Sequence, residues 1–397
     1  MRVSKKVASI EPSVTLEISA KAKALKKEGK DIVAFTAGEP DFNTPEYIIK
    51  EAEKALYEGK TKYTPTSGIP ELKKAIVKKL REENGLCYEE GNIVVSSGAK
   101  SSLYHALCAI VDEGDEVIIP APYWITYVEQ VRLAGGVCKI VNTDEKSGYK
   151  LTSEQFEGAI NEKTKCVLLN SPCNPTGVVY SKEELEGLAR VAEKYGVEII
   201  SDEIYEKLVF EGEKHVSIAS LSGYAKNHTI VINGVSKTYA MTGWRIGYMA
   251  CPTKEVASAV AAMQGHTTSN ACSFAQYASA VAISGGTEFI DDMTSEFDKR
   301  RRLLVKGLGK IDGIKLVYPK GAFYVFANVS AFYGKQFEGQ RISGSVSFAD
   351  ALLKRGVAVI PGLAFGDDDS IRLAYTVSCD DIEKGVRGIE RFISELV

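Results

Sequence analysis

The chain has 397 residues, 45% apolar and 25% charged, and its 49 basic and 52 acidic side chains leave a net charge of −3. That length fits two domains with a sizeable core, and the balance offers neither a basic excess for nucleic acid nor an acidic solvating block. No run is apolar for long enough to cross a bilayer, and Met1-Arg2-Val3-Ser4-Lys5-Lys6 lacks a following apolar stretch, so neither a membrane span nor a signal peptide is expected.

In chain order, the first ~45 residues give a helical pattern at Leu16–Lys27 and an extended run at Ile32–Thr36. From about residue 90 to 250, short β-rich runs alternate with helical patterns. The strands expected are Ile93–Ser96, Glu116–Ile119, Cys138–Val141, Cys166–Leu169, Glu198–Ser201, Thr229–Ile232 and Ile246–Ala250. Leu103, Ala106, Leu107, Ile110 and Val111 keep one helical face, and Ser181 with Glu184 forms a capping box for a helix that stops at Gly196. Several strands are uniformly apolar, which fits a mostly parallel sheet covered by helices on both faces.

The pattern changes at Gly285-Gly286. A long helix carrying Phe289, Met293, Phe297, Leu304 and Leu308 follows, with Lys299-Arg300-Arg301-Arg302 read as its solvated face. A strand pair around Lys315–Ala327, a polar surface excursion at Gln336–Ser345 and a helix near Ser347–Gly356 come next. Strands Val357–Ile360 and Ser370–Tyr375 and a helix from Asp380 complete the chain. The fold class expected is α/β: a large domain, 46–288, with a mostly parallel sheet, and a smaller α+β domain built from 1–45 and 289–397. The eight cysteines form no CxxC pair and read as reduced, buried thiols of a cytosolic protein; the four histidines are scattered, so no metal site is expected.

Chemistry concentrates at strand ends, where α/β sheets bind ligands. Ser97-Gly98-Ala99-Lys100 opens a helix and offers free N–H groups to a phosphate, although glycine turns are commonly structural. Tyr123-Trp124 offers a flat ring, with a core tryptophan as the plain alternative. Two prolines frame Asn174 and fix its amide. Asp202 follows the apolar run Val197–Ile200, where a carboxylate needs a partner such as a cationic ring nitrogen, or serves as a helix cap. Arg372, between Ile371 and Leu373, is a candidate carboxylate clamp. Gly38 would let backbone approach a ligand. The most specific stretch runs from Gly234 to Gly247: Lys237 supplies an amine able to condense with an aldehyde, with Ser236, Thr238 and Arg245 suited to a phosphate dianion. Together they suggest covalently held pyridoxal phosphate.

Nearly end to end, the chain resembles the fold-type I pyridoxal-phosphate aminotransferases, and among them the bacterial-type aspartate aminotransferases. The resemblance rests on Ala37-Gly38-Glu39-Pro40-Asp41-Phe42, Lys62-Tyr63-Thr64, Gly98-Ala99-Lys100, Pro122-Tyr123-Trp124, Asn174-Pro175-Thr176-Gly177, Ser201-Asp202-Glu203-Ile204-Tyr205, the Lys237 stretch and Arg372-Leu373. It implies Lys237 as the covalent anchor and base, and Asp202 as the partner of the ring nitrogen. Tyr205 and Asn174 would bond the phenolic oxygen, and Trp124 would stack on the ring. Gly98, Ala99, Lys100, Ser236 and Arg245 would surround the phosphate, with Tyr63 reaching it from the other subunit of a homodimer whose active sites lie at the interface. Arg372 would bind the substrate carboxylate with help from Gly38 and Asn174, and Lys100 is a candidate for the distal carboxylate of aspartate. The reaction implied moves an amino group to a 2-oxo acid, such as 2-oxoglutarate. Two departures are noted: Cys173 stands where relatives carry asparagine, and Glu11 where those using prephenate carry lysine. Aromatic donors, a C–S β-lyase and a non-catalytic regulatory module are the alternatives.

Overall fold

Seven strands build the central sheet: β1 (Ile93–Ser96), β2 (Glu116–Ala121), β3 (Val137–Asn142), β4 (Thr164–Asn170), β5 (Glu198–Asp202), β6 (Thr229–Gly234) and β7 (Gly247–Ala250). The computed structural model describes residues 1–8, 10–12 and 14–397. Strand order is β1-β7-β6-β5-β4-β2-β3. Only β7 runs against the rest, pairing antiparallel with both neighbours, so its first residue lies level with the last residues of the others. Ser96 pairs with Gly247, Gly247 with Gly234, and Asn170 with Asp202.

Alternation along the strands sorts side chains onto two faces. Val94, Leu168, Ile200 and Met249 pack under the helix Ala99–Ile110 through Leu103, Ala106 and Leu107. Ile93, Val95 and Val231 face away, onto the helices Glu46–Tyr57, Pro70–Asn84 and Ser273–Ser284. Because apolar residues occupy both sides, these strands read as continuous apolar runs. The Ser181–Glu184 capping box forms reciprocally, and the helix ends at Gly196 with φ 68°.

A second, antiparallel sheet carries Ile360–Pro361, Ser370–Ala374, Tyr324–Asn328 and Lys315–Leu316 in that order. The early strand Val33–Ala34 pairs in parallel with Val357–Ala358, which ties the first segment to the C-terminal part. The helices Glu288–Leu308 and Cys379–Ser394 cover this region. They share with Phe35, Phe323, Tyr375 and Phe392 a cluster that also takes in Tyr205 and Leu208.

Four expectations need correction. The expected strand Val357–Ile360 splits in two, its halves pairing with different partners. Gln336–Ser345 is a short hairpin whose Phe337 and Ile342 point into the core. Arg300 and Arg301 are buried rather than solvated, each paired with one carboxylate of its own helix and one from elsewhere in the chain, Asp41 and Glu211 respectively. Of the cysteines, Cys87 and Cys272 are exposed, and only Cys166, Cys173 and Cys251 are buried.

Candidate active site

At the end of β1 the chain turns through Gly98, φ 88°, into the helix that starts at Ala99. A Cβ on Gly98 would lie 2.4 Å from Nη2 of Arg245, and one on Gly247 would lie 2.1 Å from the Ala99 nitrogen. Two absent side chains thus let a helix start, a strand start and a guanidinium converge. The first N–H groups of a helix have no intrahelical acceptor, and its dipole adds positive potential there. Arg245, exposed and in left-handed backbone, donates from Nη1 to the Thr242 carbonyl at 2.9 Å; no carboxylate pairs with it among the described residues. Ser236 lies buried two residues beyond Gly234, whose strand partner is Gly247.

The β4–β5 register sets Asn170 beside Asp202, and Asn170 Nδ2 donates to the Asp202 carbonyl at 2.9 Å. Its Oδ1 accepts from the Asn174 N–H at 2.8 Å, which braces the loop. Asp202 is buried and heads no helix; a turn follows it. Its Oδ2 accepts from the Tyr127 hydroxyl at 2.8 Å and its Oδ1 from the Ile204 N–H at 3.2 Å. Burial pushes this carboxyl up to about 6, while the two donors pull the other way. No ion pair compensates it among the described residues.

Lys237 follows β6 and directs Nζ to the Gly38 carbonyl at 2.5 Å. Nζ also lies 6.0 Å and 5.8 Å from the ring centres of Tyr205 and Phe323. Burial lowers its ammonium to about 8; Glu39 opposes the shift, and Arg245 and Arg372 reinforce it. Gly38 thus contributes its carbonyl. A Cβ there would meet only the Tyr324 hydroxyl, at an ordinary 3.4 Å.

Arg372, 3% exposed, sends Nη1 to Asn174 Oδ1 at 3.0 Å and Nη2 to the Thr36 carbonyl at 3.2 Å. Tyr324 and Phe365 lie 4.5 and 5.0 Å from its Cζ. Nε has no partner, and no carboxylate pairs with this guanidinium among the described residues. A buried cation without a counter-ion is costly, and burial lowers its pKa. Trp124 meets Tyr127 edge-on at 5.4 Å, and the Lys100 ammonium lies 4.8 Å from the Trp124 ring. Burial and Arg245 together lower the Lys100 pKa.

The chain therefore gathers Gly38, Gly98, Ala99, Lys100, Trp124, Asn174, Asp202, Tyr205, Ser236, Lys237, Arg245 and Arg372 around one edge of the central sheet. Tyr63 stays outside, 91% exposed. Sequence reasoning missed Tyr127, Tyr324 and Thr36. Tyr127 follows Trp124 by three residues, a helical neighbour spacing that offered a signal; Tyr324 and Thr36 gave none. Elsewhere, Glu203, Glu206 and His215 cluster closely enough to hold a metal ion, but the Lys79 ammonium already pairs with Glu206.

These groups fit pyridoxal phosphate. A buried carboxylate without a cation suits a protonated ring nitrogen, an amine suits an aldehyde, and the glycine-lined helix start with Arg245 suits a phosphate dianion.

The family model described as aminotransferase class I and II matches residues 30–389. The aspartate aminotransferase of Geobacillus stearothermophilus is 48% identical over 397 residues, covering 99% of each chain. The solved structure of the Rhizobium meliloti aspartate aminotransferase superposes with a TM-score of 0.96 at 42% identity, covering 100% of both chains. That of the Thermus thermophilus aspartate aminotransferase with maleate gives 0.93 at 42% identity, covering 99% of this chain and 100% of the other.

Proposed function

Since the chain belongs to the class I and II aminotransferases, we propose that it moves the amino group of aspartate to 2-oxoglutarate at the site assembled around Lys237. It is a pyridoxal-phosphate-dependent aminotransferase of fold type I. One observation carries the reading: a lysine amine at the Gly38 carbonyl feels both a buried carboxylate, Asp202, and a buried guanidinium, Arg372, neither of which has an ion-pair partner among the described residues.

When bound, the cofactor withdraws electrons from the substrate Cα, which makes the Cα proton removable. Arg372 grips the α-carboxylate; the unpartnered Nε and the Asn174 contact support that role. Lys237 Nζ would hold the cofactor through its aldehyde, and the neutral amine would act as the base for the substrate Cα proton. Asp202 holds the positive charge on the ring nitrogen, and the Tyr127 hydroxyl favours its ionised state. Trp124 would hold the ring, and Tyr205 and Asn174 would hydrogen-bond its phenolic oxygen. Gly98, Ala99, Lys100, Ser236 and Arg245 would hold the phosphate.

For the donor, Lys100 pairs with no carboxylate among the described residues, which supports a second acidic group on the substrate. Tyr63 reaches the phosphate of a partner subunit in a homodimer. Its exposure supports this, as does that of Tyr57 and Leu56 on the preceding helix. Residues 46–288 form the cofactor-binding domain, and 1–45 with 289–397 the smaller one; the pairing of Val33 with Val357 supports that division. The setting is cytoplasmic; no helix among the described residues is long and apolar enough to cross a membrane.

A panel of amino donors with 2-oxoglutarate, scored by kcat/KM, tests the assignment. Aspartate should lead. An inactive aspartate beside a fast aromatic donor would overturn the substrate, and pyruvate release from cystathionine without amino transfer would overturn the reaction.

A further inference from the structure

Tyr324 and Tyr205 bring their hydroxyls within 2.9 Å of each other, and either oxygen can be the donor. Both side chains are buried, and neither hydroxyl has another hydrogen-bond partner among the described residues. Two protons thus share one contact, and one of them must find an acceptor elsewhere. Leaving it unmatched would cost about 1–3 kcal/mol of desolvation.

The sheet register explains what else bears on Tyr324. It pairs with Ala374, so Arg372 is its diagonal neighbour on the same face. The guanidinium consequently lies 4.5 Å from the Tyr324 ring. A cation so placed favours donation from the Tyr324 O–H; Arg372 acts on the Tyr205 hydroxyl with the same sign but as a lesser cause there. With Tyr324 donating, the Tyr205 O–H is free for an acceptor beside Lys237, whose Nζ lies 6.0 Å from the Tyr205 ring.

We propose that Tyr324 is a positioning residue that couples occupancy of Arg372 to the hydrogen bond Tyr205 donates to the cofactor's phenolic oxygen. The proposal rests on the functional reading above. With Arg372 empty, its charge favours donation from Tyr324 to Tyr205, and that bond strengthens the Tyr205 O–H as a donor. A stronger donor stabilises negative charge on the phenolic oxygen and so favours loss of the proton from the lysine-bound chromophore. A carboxylate on Arg372 offsets the guanidinium field at Tyr324, which relaxes the chain and raises the titration midpoint. Tyr324 thus links the carboxylate clamp to the proton inventory at Lys237.

The test is a spectrophotometric titration of the cofactor-loaded enzyme, with and without succinate, in wild type, Tyr324→Phe, Tyr205→Phe and the double variant. Tyr324→Phe keeps the ring under Arg372 and removes only the hydroxyl. Without succinate its midpoint should rise by roughly 0.3–0.5 pH unit, and the succinate-induced rise should shrink by a similar amount. Both effects should vanish in the Tyr205→Phe background. An unchanged midpoint and an unchanged succinate response in Tyr324→Phe would overturn the role of Tyr324, as would effects that persist without the Tyr205 hydroxyl. Absence of any borohydride-trappable chromophore on wild-type Lys237 is a different result, which would overturn the functional reading and this proposal with it.

Discussion

The hydroxyl of Tyr127 donates to Oδ2 of Asp202 across 2.8 Å, with both side chains buried. Among the described residues, this bond and the Ile204 N–H are the donors to a carboxyl that burial nevertheless raises to about 6. The rise from 3.8 corresponds to roughly 3 kcal/mol of disfavoured charge. The sign follows from the raised folded value. The carboxyl favours the folded state relative to its charged form below pH 3.8, and that contribution is lost as pH climbs through about 6. In the cofactor-free protein, Asp202→Asn should therefore raise the melting temperature near neutral pH, and the gain should fade towards pH 4. Turnover should collapse in the same variant. A lower melting temperature at neutral pH would mean that the site stabilises the anion by itself.

Lys237 carries the opposite charge and the opposite sign. Its folded value of about 8 lies below the ordinary 10.5, so the unfolded chain binds the extra proton between those values. Stability attributable to this lysine should rise with pH across that window. A direct check is NMR titration of the dimethylated side chain in the cofactor-free protein, assigned by comparison with Lys237→Ala. The midpoint should fall near 8. A midpoint near 10.5 would remove the supply of neutral amine on which proton transfer depends. Lys237→Ala should also abolish amino transfer.

Arg372 is held by one amide, one backbone carbonyl and two rings, with no anion among the described residues to balance it. Removing the guanidinium removes a charge-assisted contact worth roughly 3–4 kcal/mol at a buried site, so kcat/KM in Arg372→Gln should fall about 10²–10³-fold. Binding of a dicarboxylate inhibitor should weaken in parallel, while absorbance of the bound cofactor persists. Loss of the cofactor instead would assign Arg372 to holding the cofactor rather than the substrate.

The legible part of the molecule is the part with local rules. Several central strands, such as Ile93–Ser96 and Thr229–Gly234, show as apolar runs because they are buried on both faces, whereas the edge strand Val137–Asn142 is partly exposed. Ser181 and Gly196 marked a helix start and stop by capping chemistry that acts within a few residues. Lys237, Asp202 and Asn174 stand out in the sequence because each falls at or just past the end of a recognisable strand. Tyr324 and Thr36 were invisible because their neighbours come from remote sequence: Tyr324 touches Tyr205 and Arg372 only through the second sheet. The helices Glu46–Tyr57 and Pro70–Asn84 carry amphipathic faces that lie outside the alternating strand–helix pattern of residues 90–250. The splitting of Val357–Ile360 depends on two partner strands that no local pattern reveals.

The basic tract failed for the same reason and yields a stability prediction. Helical spacing shows that the tract shares a helix with Phe297 and Leu304, but not that Glu211 and the Pro319 carbonyl arrive over it from elsewhere. Arg301 bonds Asp298, Glu211 and that carbonyl, between the rings of Phe210 and Tyr318 at 5.1 and 4.6 Å. Arg302 reaches Asp298 from a position 58% exposed. Breaking the buried contacts leaves unpaired acceptors and a cavity between two rings, so Arg301→Ala should cost about 3 kcal/mol. Arg302→Ala loses a solvent-screened pair and should cost under about 1 kcal/mol. Urea unfolding of the two variants, with the cofactor bound at saturating concentration, separates them. Equal and small effects would return the whole tract to the solvated face that its composition first suggested.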